Sequence, residues 1–220
     1  LLNNVTEDVT VNKKLTIDGA GKTYTGMINA TANITIKNVN FDGKGGGTYA
    51  VETRGASNVT IENCTAKDYG FGFLQVVKGN NSVTVRDVTI SNVNYGIKIN
   101  YSNSVTLENV TIDARNYGIY DSNYGPKTYN VKNSDISSIE IWERDDASAV
   151  ATFNFEGANT VGALDTSEYA KYFLADIEAT LTAPEGIDVT TTVDGCKVLY
   201  NNAVFFSCLL TLTLSCYCIG

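Results

Sequence analysis

The sequence predicts an all-β solenoid: a parallel β-helix of about six coils, extended by a short helical cap and a small β appendage. Three observations predict it. A strand-like segment recurs at nearly constant spacing, one Asn or Asp breaks each copy at the same place, and only two prolines, Pro126 and Pro184, interrupt 220 residues. So few prolines let long stretches pair as interior strands without missing donors.

The repeat is plain when its copies are stacked. Ile34-Thr-Ile-Lys-Asn-Val-Asn-Phe41, Val59-Thr-Ile-Glu-Asn-Cys-Thr-Ala66, Val83-Thr-Val-Arg-Asp-Val-Thr-Ile90, Val105-Thr-Leu-Glu-Asn-Val-Thr-Ile112 and Tyr129-Asn-Val-Lys-Asn-Ser-Asp-Ile136 align without gaps. Their starts differ by 25, 24, 22 and 24 residues, and Leu15-Thr-Ile-Asp-Gly19 is an earlier copy lying 19 residues before the first. Apolar residues alternate with Thr or a charged residue, the period of a strand with one buried face. The alternation breaks at Asn38, Asn63, Asp87, Asn109 and Asn133. Asn and Asp tolerate a left-handed bend, so these five positions read as corners whose side chains stack into a structural ladder.

Eight residues beyond three of the corners stand Phe71-Gly-Phe73, Tyr95-Gly-Ile97 and Tyr117-Gly-Ile119. Each repeat thus supplies about three short strands, and apolar faces too small to be buried singly form one core when coils stack about 4.8 Å apart. Counting parity back from Ile97, Ile99 and Ile119 turns Phe71, Tyr95 and Tyr117 inward as a buried aromatic stack. The same parity turns Lys98, Tyr120 and Leu74 outward, with Tyr101, Arg115 and Tyr124 in adjoining bends.

The Asn corners, the Val-Thr-Ile-x-Asn-Val-Thr-Ile core and the opening Leu15-Thr-Ile-Asp-Gly-Ala-Gly-Lys-Thr-Tyr-Thr-Gly26 resemble the right-handed parallel β-helix domains of the pectate-lyase-like superfamily. The resemblance covers roughly residues 9 to 142 and implies a right-handed winding. It also implies the setting of bacterial and archaeal adhesin-like surface proteins, hence a secreted or cell-surface location. The scaffold serves lyases, hydrolases, epimerases, adhesins and phage fibres alike, so the fold alone does not select an activity.

Four regions follow along the chain. Residues 1–142 form the β-helix and 143–175 a terminal coil with a helical cap. Residues 176–206 form a small β appendage, and 207–220 an apolar, Cys-rich tail. Val150-Ala-Thr-Phe-Asn-Phe155 reads as one further strand. Ser167-Glu-Tyr-Ala-Lys-Tyr-Phe-Leu174 places Tyr169, Tyr172 and Phe173 at helical spacing behind a Thr166 or Ser167 cap, which predicts a helix closing the open end. Alternation returns at Ile177, Ala179 and Leu181, at Ile187-Asp-Val189 and at Cys196-Lys-Val-Leu-Tyr200. The run 203–219 carries no charge and leaves three readings open: a membrane anchor, a buried or aggregating strand pair, or a tail foreign to the original coding frame.

Composition excludes several chemistries. There is no histidine, so Ser-His-Asp and Cys-His catalysis and Cys/His zinc sites are ruled out. With 16 basic against 24 acidic residues the net charge is −8, which argues against a nucleic-acid partner. Residues 1–142 hold 13 of each sign, so the excess lies in the C-terminal part. Cys64 falls in the inward slot of Val88 and Val110 and reads as a buried free thiol, while the odd total of five cysteines gives no disulfide framework. Charges flanking the corners, Lys37, Glu62, Arg86, Glu108 and Lys132, alternate in sign and pair across the coils instead of clustering. Glu143 to Asp146 is the one dense acidic run and reads as a solvated end loop.

Neither the lyase site nor the hydrolase site of the resembling family maps onto these residues. No catalytic, metal or cofactor residue is therefore expected. The predicted function is an adhesin-like stalk contacting a polysaccharide or cell-surface glycan through Lys98, Tyr120, Tyr101, Arg115 and Tyr124. A lyase or glycoside hydrolase fragment of the same fold and an inert structural spacer are the alternatives, and a membrane is a partner only if 203–219 is an anchor.

Overall fold

A computed structural model describes residues 1–56, 58–122, 124–142, 148–165, 170–173, 177–182, 191–194, 196–200 and 204–208. These form a parallel β-solenoid of about seven coils, one more than the repeat alone predicts. Each full coil has three faces, and each face stacks in register on the next coil. The first face runs Leu15, Ile34, Val59, Val83, Val105, Tyr129, Phe153, Tyr172 along one column. The second runs Tyr24, Phe41, Ala66, Ile90, Ile112, Ile136, Val161, Ala179. The third runs Val9, Ile28, Val51, Leu74, Ile97, Ile119, Ile139, Leu164, Leu181. From the third coil onward nearly all of these side chains are buried. A fully buried Val, Leu or Ile contributes about 1.5–3 kcal/mol, so the column of like residues is the main source of stability.

The five corner residues Asn38, Asn63, Asp87, Asn109 and Asn133 all have positive φ, between 48° and 56°. Asn63 Nδ2 donates to Asn38 Oδ1 at 2.6 Å, and Asn109 Nδ2 to Asp87 Oδ1 at 2.9 Å. The ladder begins with Asn38 Nδ2 donating to Asp18 Oδ1 at 3.0 Å, and at its other end Ala158 N donates to Asn133 Oδ1 at 3.2 Å. A second, shorter column of left-handed residues, Lys44, Asp68 and Asn92, turns the chain from the second face to the third. The alternating charges do lie opposite one another: Lys37 against Glu62, Arg86 against Glu108, Lys132 against Glu156, the last an ion pair of 2.9 Å. Cys64 is a buried free thiol level with Val88.

The expected helix is corrected where the chain is described. Ala170–Phe173 is a strand, paired parallel with Ala151–Glu156. Tyr172 decides the outcome: it continues the first-face column, stacking 4.9 Å from Phe153, which lies 4.2 Å from Tyr129. Stacking on an existing aromatic column outweighs the helical spacing of three aromatics in a short segment. Ile177–Thr182 extends the solenoid by parallel pairing and then pairs antiparallel with Thr191–Asp194. Cys196–Tyr200 and Val204–Cys208 form an antiparallel pair, so that part of the uncharged run is strand. Among the described residues no helix is long and apolar enough to cross a membrane. The expectations for Glu143 to Asp146, Ile187 to Val189 and 209–219 lie outside the described residues.

Candidate functional site

The third face carries an uninterrupted outward row. Between inward neighbours, successive coils present Glu52, Gln75, Lys98, Tyr120, Glu140 and Asp165 at matched positions, about 4.8 Å apart. Lys98 and Tyr120 are therefore adjacent, as parity predicts. Leu74 is not their neighbour. Gly72 pairs with Tyr95, so Leu74 falls in the core column, fully buried, and Gln75 takes the outward place. The expectation fails because Phe71-Gly72-Phe73 and Tyr95-Gly96-Ile97 stack one residue out of step.

The aromatic residues before this strand are also corrected. Phe71 is 53% exposed, and Tyr95 and Tyr117 are half-buried rather than inward. Parity fails at Gly96. A Cβ there would collide with the core atom Ile112 Cγ2 and with the Gly118 carbonyl, so Gly96 itself faces the core. Ile97 does too, and two successive inward residues leave the residue just before them facing outward. Tyr95 and Tyr117 consequently stand beside the outward row.

The result is a cluster of three rings, two of which face one ammonium. Tyr95 and Tyr117 are 5.7 Å apart, Tyr95 and Tyr120 5.6 Å, and Tyr117 and Tyr120 5.3 Å between centroids. Lys98 Nζ lies 5.2 Å from the centroids of both Tyr95 and Tyr120, within cation–π range. Toward earlier coils the exposed Phe71 packs on the buried Tyr49, 6.0 Å between centroids.

Two carboxylates flank this aromatic shelf. The Tyr117 hydroxyl is hydrogen-bonded to Glu140, and this bond, with burial and the Glu140 charge, pushes the Tyr117 pKa up to about 12. Burial and the neighbouring Asp165 raise the Glu140 pKa, although the Tyr117 bond opposes the shift. Burial raises Asp165 as well. Glu140 and Asp165 had no place in the sequence-level site, yet Ile139-Glu-Ile141 matches Ile97-Lys-Ile99 closely enough to have revealed Glu140.

The other predicted contact residues sit elsewhere. Tyr101 and Tyr124 stack on each other at 4.8 Å, and Tyr101 is 43% exposed. Arg115 lines a shallow depression at the second corner with Lys44, Asp68 and Asn92. The five residues thus divide among three places. Among the described residues no group of three or more His, Cys, Asp or Glu side chains is placed to hold a metal ion.

Three parallel faces, an Asn-bearing corner and a row of outward polar and aromatic side chains define a β-helix repeat protein with one decorated face. The family model for the right-handed β-helix region matches residues 27–140, and the chain belongs to that family. No curated protein and no solved structure matches it.

Proposed function

We propose that the chain is a secreted or cell-surface β-helix stalk that binds a polysaccharide along its third face. The observation that carries this reading is the cluster of Tyr95, Tyr117 and Tyr120, with Lys98 beside two of the rings, in consecutive coils of a parallel sheet. Sugar rings present apolar C–H faces to aromatic rings and hydroxyls to the polar groups between them, and a linear glycan matches a linear row. The low-charge, Thr- and Asn-rich surface and the right-handed β-helix fold both suit an extracellular stalk.

Charge narrows the ligand. The outward row contains Glu52, ion-paired with Arg54 at 2.6 Å, and Glu140 and Asp165 against Lys98, whose ammonium already faces two rings. A polyanion would meet net repulsion there, so a neutral polysaccharide is the ligand of choice. Electrophoresis through gels containing galactomannan, β-glucan, alginate or polygalacturonate tests this. At least one neutral polymer should retard the protein while the acidic ones do not, and free migration in every gel would overturn the reading.

A second reading, a glycoside hydrolase fragment, is favoured by one observation: Glu140 and Asp165 occupy adjacent coils with both pKa values raised. Two carboxyl groups on neighbouring coils, one with its pKa raised so that it can donate a proton, are the arrangement glycosidic cleavage uses. Release of reducing ends from the same polymers, abolished by Glu140→Gln, would select this reading over the stalk.

A further inference from the structure

We propose that Lys127 and Asp121 condense in the folded chain to form an intramolecular isopeptide bond. Asp121 occupies a core position, level with Ile99 in the preceding coil and Ile141 in the next. Lys127 occupies another, level with Ala151. Both side chains are completely buried, and Lys127 Nζ lies 2.8 Å from Asp121 Oδ1. Tyr129, buried and stacked on Phe153, donates its hydroxyl hydrogen to Asp121 Oδ2 at 2.8 Å. The Lys127 ammonium also reaches the carbonyls of Tyr124 and Gly125, both at a long 3.3 Å.

A charged pair sealed in the core is an expensive arrangement, and condensation removes both charges. In the reaction one ammonium proton passes to Oδ1, which frees the Nζ lone pair. The Nζ lone pair attacks Asp121 Cγ, and Tyr129, hydrogen-bonded to Oδ2, stabilises the negative charge developing there. The Cγ–Oδ1 bond then breaks as the Nζ–Cγ bond forms. Two of the three ammonium protons leave with Oδ1 as water, and the third remains on the amide nitrogen. No oxidant or co-reactant is required. Fixed proximity replaces an encounter between separate groups, and exclusion of water favours loss of one more water molecule. In the product the amide N–H can still donate to a loop carbonyl and the amide oxygen can still accept from Tyr129. The bond would close the turn between two coils and lock it against unwinding under load.

Intact-mass measurement of the denatured 220-residue chain reads this directly. The expected mass is one water below the sequence value, with a branched fragment joining the peptides that contain Asp121 and Lys127. A mass equal to the sequence value would overturn the proposal and leave an ordinary buried ion pair. Lys127→Met should show no loss of water; loss of one water in that variant would equally overturn it. Tyr129→Phe keeps the ring stack but removes the hydroxyl, so the bond should form about 100-fold more slowly. An unchanged rate in that variant would refute the activating role of Tyr129.

Discussion

Gly96 faces Ile112 with no room between them for a side chain, since a Cβ there would overlap Ile112 Cγ2. That contact turns Tyr95 outward and creates the aromatic shelf. Gly96→Ala adds a methyl group into Ile112 and the Gly118 carbonyl, and should destabilise the fold by about 2 kcal/mol. The check is a denaturant titration of the variant beside wild type, where an unchanged midpoint would contradict the packing described.

Asn109 combines a φ of 54° with a side-chain bond to Asp87. Asn109→Leu loses the bond and places a poorly tolerated residue in the left-handed region, at a cost of about 2 kcal/mol. Its melting temperature should fall while polysaccharide retardation stays at the wild-type level, because the corner lies away from the third-face row.

Burial pushes the Cys64 pKa up to about 11 from an ordinary 9. The folded state therefore holds this proton more tightly than the unfolded state. Stability contributed by the protonated thiol is intact below pH 9 and declines as pH rises from 9 to 11, by up to about 2–3 kcal/mol. Cys64→Val fills the same slot as Val88 and Val110 without an ionisable group. It should match wild type near pH 7 and exceed it at pH 11, and parallel alkaline curves would refute the assignment.

Much of this architecture is legible in the sequence, because a solenoid repeats its instructions. The column from Leu15 to Tyr129 and the corners from Asn38 to Asn133 follow from period and residue type alone. Orientation at Tyr95 is not legible by alternation, since Gly96 carries no side chain to declare which way it faces. The register of Leu74 and Gln75 depends on how Gly72 meets Tyr95 in the next coil, a long-range choice that local pattern does not encode. Tyr172 joins a strand because Phe153 offers it a ring to stack on, a tertiary contact that overrides helical spacing. Glu140 is legible from the match of Ile139-Glu-Ile141 to Ile97-Lys-Ile99, whereas Asp165 lies where the sequence has drifted from the repeat and joins the row only when the coils are stacked.

Glu140 has its pKa raised by burial and by Asp165, so its charge opposes folding at neutral pH. That penalty is absent below the ordinary value of 4.5, where the group is protonated in both states, and grows as pH rises through 4.5 toward the folded value. Glu140→Gln should be more stable than wild type at pH 7, and the difference should vanish at pH 3. A variant less stable than wild type at pH 7 would contradict this, showing the Tyr117 bond to be stronger than the cost of burying the charge beside Asp165.

Glycan binding by the proposed stalk depends on the third-face tyrosines. The most direct measurement is the retardation of a Tyr95→Ala, Tyr120→Ala double variant in gels containing the neutral polysaccharide that retards wild type, with Tyr101→Ala alongside. Loss of retardation in the double variant, with retention in Tyr101→Ala, is the predicted result. Equal retardation of the double variant and wild type would contradict it.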